Sequence, residues 1–84
     1  MLLQEIKDQL SIASPAEVVN LTIEFERGLK KLCEFHEDYV HFYQEYASDI
    51  NYLRATRDPE NGKELMWFVD TAIGIGERLK NSWW

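Results

Sequence analysis

Cysteine, proline and long apolar runs are all scarce in this sequence. Cys33 stands alone, so neither an intrachain disulfide nor a paired-cysteine metal or redox motif can form, and a reducing setting is expected. The longest apolar run is the five residues LMWFV, Leu65 to Val69, against the ~20 needed to cross a bilayer. The opening MLLQE reaches Glu5 before the apolar core of a signal peptide develops. A cytoplasmic protein is therefore expected, in the host cell if the chain is phage-encoded. Basic residues are also short: nine Lys and Arg against fifteen Asp and Glu give a net charge of -6. That balance weighs against nucleic acid or an anionic membrane as direct ligand and favours a protein partner with a basic surface.

What remains is rich in helix formers. The chain is 84 residues long, enough for one domain over 1–84, and a chain of this size buries only about 60–65% of its unfolded surface. Its two prolines sit where helices begin. In SPAE, Ser14 can cap the first free amides, Pro15 suits the first helical position and Glu17 completes a capping box. Asp58 and Pro59 repeat the first two parts of that arrangement. These signals divide the chain into a short helix over about 2–12, a long helical region over 15 to about 57, and a last helix over 59 to about 80.

Val18, Phe25, Leu32, Tyr39, Tyr46 and Leu53 recur every seven residues through the long region, a strong helix signal. An unbroken helix over 15–57 is ~64 Å long, more than its neighbours can cover. Either it breaks near Gly28, where glycine costs ~1 kcal/mol, and a four-helix bundle results, or it stays whole and a second copy covers the remainder. The register passes Gly28 without a phase shift, which favours the unbroken helix. The expected fold is all-α: a helical hairpin or small bundle of three helices with a long central helix, in a dimer. The last helix collects Leu65, Phe68, Val69, Ala72, Ile75, Gly76 and Leu79 on one face. Gly76 is expected to permit close helix packing, while Gly74 is open to the same role or to ending the helix.

Candidate chemistry concentrates in EFHEDYVHFYQEY, Glu34 to Tyr46, which holds both histidines. Cys33 and His36, or Glu37, His41 and Glu45, have spacings that share a helix face. A di-iron bundle needs Glu three residues before His, and neither histidine has one. A zincin needs two histidines four apart, and these are five apart. No hydroxyl nucleophile accompanies either histidine, and the Gly-x-Gly of IGIGERL lacks the strand and third glycine of a dinucleotide site. No metal, cofactor or catalytic group is expected.

On a helical wheel the stretch separates. Phe35, Tyr39, Phe42, Tyr43 and Tyr46 turn toward Leu32, Ile50 and Leu53 as a core or dimer stripe. Glu34, Glu37, Asp38, His41, Glu45 and Tyr52 turn outward, with Asp49, four residues after Glu45, as a further contact candidate, and no Lys or Arg occurs from Leu32 to Leu53. Such a face is commonly only solvated; its functional reading is a surface for a basic partner. Arg27, Lys30 and Lys31 form an adjacent basic patch that a second copy can set against the acids. Trp67, and the terminal Trp84, are further contact candidates because Trp is enriched at interface hot spots.

These features point to a non-enzymatic protein-protein interaction protein: a small acidic helical inhibitor that binds and blocks a basic or nucleic-acid-handling protein. Its size and charge resemble the broad class of immunity proteins and phage anti-defence proteins, anti-CRISPR proteins among them, by analogy of class and not by motif. The alternative is a structural or adaptor subunit, a hairpin that assembles through the aromatic stripe and the terminal tryptophans.

Overall fold

The long central helix expected over 15–57 is two helices. The computed structural model describes residues 2–82 and contains α1 (Leu3–Leu10), α2 (Pro15–Leu32), α3 (Glu37–Ala55) and α4 (Asn61–Ser82), with no strand among those residues. The break falls at residues 33–36, eight positions after Phe25, and not at Gly28, which lies inside α2.

Local electrostatics account for its position. Lys30 and Lys31 occupy the last turn of α2, where cations meet the negative end of the helix dipole. Glu37 and Asp38 occupy the first turn of α3, where carboxylates meet the positive end. Between them His36 adopts an extended backbone, φ -156° and ψ 141°, and its Nδ1 accepts the Asp38 backbone N–H at 3.0 Å as the cap of α3. The amides of Cys33, Glu34 and Phe35 donate to Leu29, Lys31 and Leu32 at 3.0, 3.1 and 2.9 Å, satisfying the last carbonyls of α2.

The seven-residue register survives the turn because Leu32 and Tyr39 both face the interior from opposite sides of it. Phe35 is the exception. Placed on the buried stripe by the wheel, it lies in the turn and is 81% exposed.

The other boundaries follow the capping chemistry more closely. Ser14 and Glu17 form the expected box: the Ser14 hydroxyl accepts the Glu17 N–H at 3.3 Å, and the Glu17 carboxylate accepts the Ser14 N–H at 3.5 Å. At the second proline the Asp58 carboxylate accepts the Glu60 N–H at 2.8 Å, and α4 begins two residues later than expected. Buried Asn61 then donates from its side chain to the Thr56 carbonyl at 2.8 Å, tying the start of α4 to the end of α3.

α2 and α4 form the central pair; each packs against α1 and α3, while α1 and α3 do not meet. Phe25, Leu29, Ile50, Leu53, Leu65 and Val69 are fully enclosed between them, with Ile6 of α1 closing one side. The radius of gyration is 12.5 Å, near the ~12 Å expected of a single folded domain of this length. The four helices cover one another, so the uncovered length that argued for a dimer is gone.

Gly76 has the close-packing role expected of it: an added Cβ would stand 3.0 Å from the Tyr39 hydroxyl on α3. Gly74 does not end the helix, which continues to Ser82, and an added Cβ there meets nothing within 4 Å. Gly74→Ala is therefore expected to stabilise the fold by about 1 kcal/mol, raising the melting temperature by roughly 4–8 °C. Gly76→Ala should forfeit that gain against Tyr39, and thermal circular dichroism of the two variants separates them.

Candidate protein interaction surface

α3 presents the outward acids in a stripe. Glu37, Asp38, His41, Glu45, Asp49 and Tyr52 are all exposed, and at 100° per residue they span about 120° of the helix. Glu34 is exposed as well but stands in the turn between α2 and α3, not on the helix face expected of it.

The stripe is not uniform in what holds it. Asp38 approaches the capping His36 at 3.7 Å, and Glu37 shares the favourable first turn of α3. Those two carboxylates are explained by helix formation. Glu45 and Asp49 sit in the middle of α3, where no dipole favours them, and neither pairs with a cation among the described residues. They are exposed, like-charged and four residues apart, an arrangement that costs roughly 0.2–0.5 kcal/mol.

The inner side of α3 is fixed by two clusters. Phe42, Tyr46, Trp67 and Phe68 form a set of edge-on and tilted rings with centroids 5.2–6.3 Å apart, joining α3 to α4. On the α2 side, Glu26 is a carboxylate only 6% exposed. The Tyr43 hydroxyl donates to its Oε2 at 3.1 Å, Arg54 donates to its Oε1 at 2.5 Å and to Asn51 at 2.8 Å, and Lys30 stands 3.9 Å away. Burial, with help from the hydrogen bond to Glu26, pushes the Tyr43 hydroxyl above its ordinary pKa, so it remains a donor across the neutral range.

Sequence reasoning missed Glu26, Arg54 and Glu64. The signal for Glu26 was its position: it follows core Phe25 directly and lies four residues after Thr22, on the flank of the apolar face of α2.

At the far end of the stripe Asp49 meets residues of α4. Tyr46, Asp49, Glu64, Trp67 and Phe68 line a shallow recess of about 260 Å³. The fold thus joins two surfaces expected to act separately, the acids of α3 and the indole of Trp67, which is 51% exposed. Trp84 lies outside the described residues.

The basic patch lies elsewhere. Arg27, Lys30 and Lys31 border a larger groove of about 930 Å³ between α1, α2 and α4, floored by Leu3, Gly28 and Ile73. Arg27 is paired with Glu24 at 3.3 Å and Lys30 with Glu26 at 3.9 Å. Only Lys31 of the three makes no ion pair among the described residues.

Neither Cys33 nor His36 is poised as a nucleophile or base. Burial raises the Cys33 thiol, which opposes the thiolate a nucleophile requires, and the His36 Nδ1 is engaged as a cap. Among the described residues no three His, Cys, Asp or Glu side chains are gathered to hold a metal ion. No described helix is long and apolar enough to cross a membrane. Neither a protein-family model, nor a curated protein, nor a solved structure matches the chain.

Proposed function

We propose that the protein is a non-enzymatic inhibitor that binds a basic surface of a nucleic-acid-handling protein through the outer face of α3 and blocks it. One observation carries this reading: Glu45 and Asp49 are exposed and unpaired at mid-helix, a small cost that helix formation does not explain. A rigid inner face supports it, because the ring cluster and the Glu26 network hold the stripe in one geometry. A pre-organised charged surface speeds encounter with an oppositely charged partner and excludes wrong ones. The analogy of size and charge to immunity and anti-CRISPR proteins agrees with the reading but adds no residue to it.

A second reading, an adaptor that assembles through apolar surface with itself or a helical partner, is favoured by the exposed Phe35. It stands beside Leu32, Tyr39 and Leu79 in a recess adjoining the larger groove. The two readings respond differently to salt. Capture of the partner from native host extract should weaken steeply as ionic strength rises from low values if charge attracts it. Capture that is insensitive to salt and lost in Phe35→Ala supports the adaptor instead. Sedimentation at micromolar concentration tests the dimer, whether formed through the aromatic surface or by setting Arg27, Lys30 and Lys31 against the acids of a second copy.

A further inference from the structure

We infer that the recess between α3 and α4 receives one long cationic side chain, a lysine or arginine, of the partner protein. This rests on the reading that the α3 face binds a basic surface, and it identifies where that surface is anchored.

Trp67 forms one wall of the recess. Its ring is fixed edge-on against Tyr46 at 5.4 Å and Phe68 at 5.2 Å, yet half of its surface is open to solvent. An indole restrained in this way loses little further freedom when a partner covers it, which is the property of an interface anchor. The cavity beside it holds about 260 Å³, below the roughly 300–1,000 Å³ of sites for drug-sized molecules. It suits a single side chain better than a cofactor.

The walls select the kind of side chain. Aromatic rings of Tyr46 and Trp67 accept an aliphatic stem and attract a cation through their quadrupoles. Asp49 and Glu64 border the same recess from different helices, and neither has a cation of its own among the described residues. An apolar side chain would bring both carboxylates to a dry boundary without a counter-charge, and an acidic one would be repelled. A cationic head on an aliphatic stem satisfies both features. The larger groove offers no comparable argument: two of its three cations are already paired, and nothing in the structure shows what covers it.

The test uses the full chain and three probe peptides of equal length: acetylated tetra-arginine amide, tetra-lysine amide and a neutral tetra-glutamine amide. Chemical shifts of the Trp67 indole N–H, assigned with Trp67→Phe, report the recess; amide shifts of Glu45 report the middle of the stripe. The cationic peptides should shift the indole saturably while the neutral peptide does not. Asp49→Asn with Glu64→Gln should weaken that response at least five-fold with circular dichroism unchanged, and Glu77→Gln, which removes an exposed carboxylate outside the recess, should leave it. If the cationic peptides shift Glu45 but not the indole, the recess is overturned and the acidic-face reading stands. If they shift neither, both are overturned. An equal response to the neutral peptide, or one that Asp49→Asn with Glu64→Gln leaves unchanged, also overturns the cationic anchor.

Discussion

Phe42→Ala is expected to destabilise the protein by about 3–5 kcal/mol, whereas Phe35→Ala should change stability by no more than ~0.5 kcal/mol. The two phenylalanines are seven residues apart and occupy one stripe on a continuous helical wheel. In the fold they part company. Phe42 is 5% exposed and packs against Tyr46 and Phe68, so its removal leaves a cavity between α3 and α4. Phe35 lies in the turn and gives up little packing. Urea denaturation of both variants decides the matter: equal losses would mean that Phe35 is buried and the break at residues 33–36 is wrong. Because Phe42 also supports Tyr46, the unstable variant should lose the geometry of the recess.

Arg54→Met should cost about 1.5–3 kcal/mol, the range for hydrogen bonds to charged groups. Arg54 is itself partly exposed, so the loss comes from what it leaves behind. Glu26 would retain its burial, the Tyr43 hydroxyl and a distant Lys30 while losing its close cation. An uncompensated carboxylate at such a site is the expensive outcome. The double variant Glu26→Gln with Arg54→Met should recover part of the loss, since no buried charge then remains. Thermal melts of the two single variants and the double form a thermodynamic cycle; strict additivity would show that the pair is not coupled.

The helical class, the capping box at Ser14 and the buried face of α4 were legible because each depends on local spacing. Leu65, Phe68, Val69, Ala72 and Ile75 form one face by sequence alone, and all are buried. The break was harder to read because the hydrophobic period does not record chain direction. A hairpin that packs half-buried Leu32 against the core before the turn and buries Tyr39 after it keeps the same register as a straight helix. The discriminating marks were charges at helix ends: Lys30 and Lys31 before the turn, Glu37 and Asp38 after it, with His36 between them as a cap. Those marks also change the meaning of the acidic stretch. Glu37 and Asp38 start a helix, and only the acids beyond them are left for a partner.

The candidate surface was half legible for a related reason. Periodicity placed Glu45 and Tyr52 on the outside, where they are found. It could not place Glu64 beside Asp49, because that neighbour comes from a different helix. Glu26 and Arg54 are 28 residues apart in the chain, and nothing in their spacing announces the pair.

The proposed function rests on the mid-helix acids of α3 as the contact for a basic partner. Its most direct test is the dissociation constant of the partner, captured from native host extract and purified, for the native protein and for Glu45→Lys with Asp49→Lys. This pair spares Glu37 and Asp38, whose reversal would disturb the start of α3. The expected result is a loss of about 100-fold or more, ~2.7 kcal/mol, with far-ultraviolet circular dichroism unchanged. An unaltered dissociation constant in the folded variant would contradict the account.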